Sequence, residues 1–309
     1  MPPGGGGARL DVWLAAQPDA PTRSQIKLAC EQGRLRIGDR PVRPSMRLRG
    51  GETVVLVGSP AEDAEAAPVA EAIELRVLYE DEDIVAVDKP AGMVVHPAAG
   101  NRAGTLVNAI LHRYSASAAA ALPHRAGIVH RLDRDTSGVI LVARTVVAHE
   151  ALSKQFRERS VRKEYLALVH GLVRSGGTID APIGRHPSDR KRMSTHARRS
   201  RSAVSDYEPR ELFERAGATL LEVRPRTGRT HQIRVHLAAR GWPIVGDKVY
   251  GRRPGTRPAH PRQALHAAAI EIERPCDGRR IRIEAPLAAD LHALLDSLRG
   301  GGPGRGNPG

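Results

Sequence analysis

Apolar residues fall at helical spacing in two short segments near the N-terminus. Leu10, Trp13 and Leu14 share one face of a first helix. Ile26, Leu28 and Ala29 do the same in a second, over residues 24–32, which Gly33 stops. Residues 34–37 and 53–57 alternate or run apolar, which predicts short strands. Further along, residues 77–90 read as two strands around an Asp-rich turn. Thr105 caps a helix whose Leu106, Ala109 and Ile110 fall at helical spacing. Residues 139–143 run apolar without interruption, the mark of a buried strand, and residues 149–159 place Leu152 and Phe156 one turn apart. Residues 165–169, 220–223 and 281–284 predict strands, and residues 231–239 a helix closed by Gly241. Helices and strands do not alternate regularly. The pattern therefore predicts an α+β fold with a mixed, mainly antiparallel sheet, preceded by a small α/β domain.

Charge divides this pattern. Between Arg9 and Arg49 stand nine basic and four acidic residues; residues 58–75 hold five acids and no base. The change predicts a basic domain over 8–57, an acidic linker over 58–75 and a large domain over 76–298. The Gly/Pro-rich ends, 1–7 and 299–309, read as disordered tails. Over all 309 residues the net charge is +14, and 42 of the 48 basic residues are Arg, the side chain suited to planar contacts with phosphate and bases. Two cysteines exclude a disulfide scaffold and cysteine-based metal sites. No apolar run is long enough to span a membrane, and the first residues lack the apolar core of a signal peptide. The expectation is a cytoplasmic protein with a polyanionic partner and no membrane association.

Four stretches carry candidate chemistry. His130 to Gly138 (HRLDRDTSG) is a polar knot between apolar runs, hence a loop at the end of buried strands. A self-paired charged turn would look the same. Residues 224–236 (RPRTGRTHQIRVH) set Arg229 just before a helix and Arg234 inside it, where a guanidinium meets a helix N-terminus and can hold a carboxylate; a basic surface helix is the plainer alternative. His231 and His236 are five apart, a spacing that does not suit a metal pair. Tyr165 follows Lys163-Glu164 at the start of a strand, able to stack on a base or to fill a core. Residues 185–201 hold seven bases and one acid, a phosphate-tracking run or a solvated loop. Phosphate-binding glycine loops, HExxH and GxSxG are absent, so no cofactor and no metal is signalled.

Four segments in this order, residues 88–97 (DKPAGMVVHP), 130–138, 162–171 (RKEYLALVHG) and 226–237 (RTGRTHQIRVHL), resemble the RluA-type pseudouridine synthases, most closely their RluD-like branch. Residues 8–57 are similar to the S-four-type RNA-binding domain that precedes the catalytic domain in this family. The resemblance covers about residues 8–297. It implies an enzyme that isomerises uridine to pseudouridine in structured RNA, foremost large-subunit ribosomal RNA, without a cofactor. It further implies that Asp133 is the catalytic carboxylate and Asp135 is not. Arg131 would replace the flipped nucleotide, Tyr165 would stack on the uracil, Arg229 would pair with Asp133, and Ile233 would floor the pocket. Arg9, Arg23, Ser24 and Lys27 in the basic block, with Arg190, Lys191 and Arg192 in the basic run, would contact RNA. The protein would act as a monomer, on RNA or on an assembling large subunit. The competing expectations are a transfer-RNA substrate, an RNA-binding or ribosome-assembly protein without activity, and a hydrolase using Asp133 with Asp135.

Overall fold

A computed structural model of the chain describes residues 7–17, 20, 23–57, 68–97, 101–114, 127–189, 192–197, 199–251 and 258–300. They fall into two units, Met1–Ala67 and Pro68–Gly309. Of the tails expected at 1–7 and 299–309, residues 1–6 and 301–309 lie outside the described residues, as do linker residues 58–67 and Arg190 and Lys191, while Arg299 is helical.

In the first unit, α1 (Leu10–Leu14) and α2 (Arg23–Glu31) precede β1 (Leu35–Ile37), β2 (Arg40–Pro41) and β3 (Val54–Leu56). The strands pair antiparallel in the order β2-β1-β3. Leu10, Ile26, Ala29, Leu35, Val42 and Leu48 close its core. Asp11 accepts from Arg9 Nε at 2.9 Å and Arg23 Nη2 at 2.7 Å, and these two guanidiniums hold its carboxyl well below the usual range. Lys27 faces Glu31 one turn on, at 3.5 Å. Ser24 lies in α2; its side chain is outside the described residues.

The second unit runs β4 (Arg76–Glu80), β5 (Ile84–Lys89), α3 (Leu106–Arg113), β6 (Ser137–Ala143), α4 (Val146–Glu158) and β7 (Arg162–His170). Five strands follow: β8 (Gly177–Asp180), β9 (Ile183–Arg185), β10 (Met193–Ser194), β11 (Ser200–Arg201) and β12 (Val204–Phe213). The chain ends with β13 (Ala218–Pro225), α5 (Gln232–Ala239), β14 (Leu265–Glu273), β15 (Arg280–Glu284) and α6 (Ala289–Arg299). The main sheet is ordered β4-β5-β6-β14-β7-β13-β12-β8, with β15 added to β14. Among its described pairings only β6 with β14 is parallel. The α+β, mainly antiparallel expectation therefore holds. Strands β9, β10 and β11 form a separate small sheet from the basic run.

Local sequence explains the helix starts beside the site. Thr105 and Asn108 cap α3 reciprocally, each accepting the other's backbone N–H. Thr145 caps α4 by accepting the Ala148 N–H at 3.1 Å. Part of the predicted linker behaves otherwise than expected. Asn108 Nδ2 donates to the Val69 carbonyl, and the Glu71 carboxylate accepts the Gly104 N–H, so residues 69–71 are tied to α3.

Two apolar cores lie against this sheet. One joins β5, β6, α3 and α4, the other β7, β13, α5 and α6; Tyr165 packs against both. The seam between them requires a glycine. Gly138 has φ +110°, and a Cβ there would lie 2.2 Å from the Ala267 carbonyl oxygen. Only a residue without a side chain lets β6 approach β14 this closely.

Candidate active site

The seam opens into a cavity of ≈ 500 Å³ lined by the 130–138 loop, the start of β7 and the β13–α5 turn. Asp133 lies on its wall with the side chain 19% exposed. Its Oδ2 accepts from Arg234 Nη1 at 2.9 Å. The sequence resemblance gave that pairing to Arg229, and the structure corrects it. Arg229 precedes α5 and donates Nε to the Ser202 carbonyl at 3.1 Å, whereas Arg234 sits inside α5 on the face turned to the loop. Arg229 still lines the cavity.

Arg234 is itself anchored from behind. Its Nε and Nη2 donate to the two oxygens of Asp247 at 2.7 and 2.9 Å. Asp247 is fully buried at its side chain and also accepts the Val249 and Tyr250 N–H groups. Burial pushes its carboxyl up, but Arg234 and those two amides outweigh it and hold it below the usual range. One guanidinium thus bridges a buried carboxylate and a cavity carboxylate. The burial of its charge is compensated by three charge-assisted bonds.

Three further devices fix the loop. His130 accepts the Leu141 N–H on Nε2 at 2.9 Å and stacks on Phe156 with centroids 4.9 Å apart. Burial holds its imidazole neutral, down to about 3. Arg262 donates Nη1 to the Asp135 carbonyl at 3.0 Å while its Nε and Nη2 clamp Asp290, the second residue of α6. Lys89, fully buried, donates Nζ to the carbonyls of Pro90, Met93 and Arg134, which ties the 88–97 segment to the same loop.

Tyr165 faces the cavity from β7, and burial and then the negative charge of Asp133 raise its phenol, keeping it protonated. Lys163 lies two residues earlier, on the same face of the strand, and burial lowers its amine to about 8. Ile233 is buried beneath, and Arg131 is exposed at the rim. Asp133, Arg131, Tyr165, Arg229 and Ile233 therefore share one cavity. Arg9, Arg23 and Lys27 belong to the other unit. Arg192 stands over the Tyr250 ring at 5.6 Å. Sequence reasoning passed over Asp247 and Tyr250. The available signal was 246–250 (GDKVY), an acid beside one of only five tyrosines. None of the described helices is long and apolar enough to cross a membrane.

The family described as RNA pseudouridylate synthase matches residues 83–239, and the S4 domain matches residues 8–54. A Xanthomonas campestris protein named ribosomal large subunit pseudouridine synthase D is 46% identical, covering 97% of this chain and 91% of its own. A Pseudomonas aeruginosa protein of the same name is 44% identical, covering 95% and 93%. Among solved structures, human RNA pseudouridylate synthase domain containing 1 superposes with a TM-score of 0.57 at 27% identity, over 75% of this chain and 98% of that one.

Proposed function

The chain belongs to the RNA pseudouridylate synthase family, and from that premise we propose that it isomerises uridines of large-subunit ribosomal RNA with Asp133 as the reacting carboxylate. The names of its relatives support this substrate. The observation that carries the role of Asp133 is its place: a carboxylate on the wall of a basic cavity, held on one oxygen by a buried Arg234.

The reaction breaks the bond from the sugar to nitrogen 1 of uracil, turns the base, and joins the sugar to carbon 5. Atoms are conserved, so neither water nor a redox partner is consumed. One ionised carboxylate suffices, as nucleophile or as base. Arg234 holds Oδ2 and leaves Oδ1 without this partner. The uridine must leave its stack, at a cost of a few kcal/mol. The Tyr165 face returns roughly 1–3 kcal/mol by stacking. Ile233 floors the pocket, and Arg131 at the rim fills the gap left in the RNA. Arg229 and Lys163 present positive charge to the backbone. Asp135 takes no part; its carbonyl serves the Arg262 clamp. The unit carrying Arg9, Arg23, Ser24 and Lys27, spanning 8–57, binds RNA apart from the catalytic residues 76–298, and the segment with Arg190, Lys191 and Arg192 tracks phosphates. The protein works as a cytoplasmic monomer, on RNA within an assembling large subunit.

Tritium release from carbon-5-labelled uridine in large-subunit ribosomal RNA tests this reading. Wild type releases tritium, and Asp133→Asn releases none while binding the RNA with near-normal affinity. Near-normal release by Asp133→Asn would overturn the assignment of the carboxylate. Wild type without release from this RNA, but with release from labelled transfer RNA, would move the substrate; no release from either would leave an RNA-binding protein.

A further inference from the structure

His231 occupies the residue before α5 with φ +56°, a left-handed conformation that non-glycine residues seldom hold. Among the described non-glycine residues only Arg159 shares it, at the C-terminal end of α4, where such a conformation is ordinary. At a helix start it is not, and such strain persists where surrounding contacts enforce it. Those contacts lie on both ring nitrogens. Nδ1 is 2.9 Å from the Tyr250 hydroxyl, and Nε2 is 3.9 Å from Asp133 Oδ1, the oxygen that Arg234 does not hold.

The hydrogens around Tyr250 suit one tautomer. The Tyr250 oxygen accepts the Met193 N–H at 2.8 Å, so its own single hydrogen is free to bond His231 Nδ1. A neutral imidazole accepting on Nδ1 carries its proton on Nε2, the nitrogen that faces Asp133. Around the ring stand Asp133, Asp247, Arg234 and Arg131; burial is the strongest influence and keeps the imidazole below its usual range. The cavity contact at 3.9 Å is longer than a hydrogen bond, as catalytic contacts often are before substrate closes the site.

We propose that His231 is a positioning residue for Asp133: its Nε2–H donates to Oδ1 while Arg234 holds Oδ2, and the Tyr250 hydroxyl sets the tautomer that makes this possible. The inference rests on Asp133 being the reacting carboxylate. Each carboxylate oxygen has two lone pairs, so an N–H on each still leaves one on Oδ1 for the substrate. The two donors fix the plane of the carboxylate against the stacked uracil.

The test combines kinetics with a readout on the free protein. By tritium release, His231→Leu lowers kcat about 10–100-fold, the usual effect of losing a group that orients a reacting one, with KM unchanged. His231→Gln, which can offer an amide N–H at the same reach, recovers most of it. Tyr250→Phe lowers kcat by a smaller factor, and adds little on top of His231→Leu, because both act through one ring. Nitrogen-15 NMR of labelled histidine finds His231 neutral and protonated on Nε2 at pH 7, and Tyr250→Phe loosens that preference. A wild-type kcat for His231→Leu, a loss confined to KM, additive effects of the two substitutions, or an Nδ1–H tautomer would each overturn the proposal. Should His231→Leu fail to fold, Tyr250→Phe decides alone: unchanged kcat and tautomer overturn it. Wild type that releases no tritium from any RNA overturns the proposed function and this inference with it, whereas active wild type beside unaffected variants overturns only the inference.

Discussion

Arg234 holds two carboxylates at once, and the two depend on it differently. Asp133 borders the cavity and can be solvated if released; Asp247 cannot. Arg234→Met should therefore cost stability as well as activity: roughly 3–5 kcal/mol, the effect of stranding a buried charge, read from the urea midpoint. Arg234→Met with a wild-type midpoint would mean that Asp247 takes up a proton without penalty. Choosing Arg234 over Arg229 was beyond the sequence, because both guanidiniums flank one helix start and nothing along the chain says which faces the 130–138 loop. His130 sets a second dependence. Between pH 6.5 and about 3 the unfolded chain binds a proton at this residue that the folded protein refuses. Stability contributed by its neutral ring is full above that window and falls as pH drops through it, by up to about 1.4 kcal/mol per unit. His130→Gln keeps an acceptor for the Leu141 N–H and should flatten that slope in urea midpoints taken from pH 7 down to 4. An unchanged slope would assign the acid sensitivity to other groups.

At the level of elements, the parallel contact between β6 and β14 is the joint on which the cavity depends. Gly138→Ala forces a Cβ against the Ala267 carbonyl and an alanine into a conformation it resists. The expected loss is on the order of 2 kcal/mol or more, with the melting temperature lowered and turnover reduced together. A variant with wild-type melting would show that the two strands part easily. Much of this frame was legible. Capping Thr105, the continuous apolar run of β6, the Leu152–Phe156 spacing of α4 and the Gly241 stop after α5 are local signals, and each element formed close to its expected span. β14 was not legible: it is bordered by β7 on one side and by β6 and β15 on the other, and its small residues Ala267, Ala268 and Ala269 look like helix formers. Nor were β9 to β11, where strand pairing is imposed on a basic run with no alternation to announce it.

For the whole molecule, a net charge of +14 makes RNA affinity a matter of released counterions. With six or more phosphate contacts, affinity should fall by about 10³-fold or more between roughly 50 and 200 mM salt, and a filter-binding titration reads the slope. A slope near zero would remove the electrostatic account of binding. Removing residues 1–67 should weaken binding to structured RNA more than it slows turnover at saturating RNA; equal losses in both would argue against two separable units. The clamp from Arg262 to Asp290 carries a consequence in time. The loop with Asp133 is translated well before the arginine that grips its backbone, and the carboxylate that aligns that arginine comes only with α6. A chain threads out of the ribosome N-terminus first. It therefore carries Asp133 through the making of β7 to α5 in a loop that Lys89 and His130 already tie but the Arg262 clamp does not, and that clamp is complete only once α6 has docked.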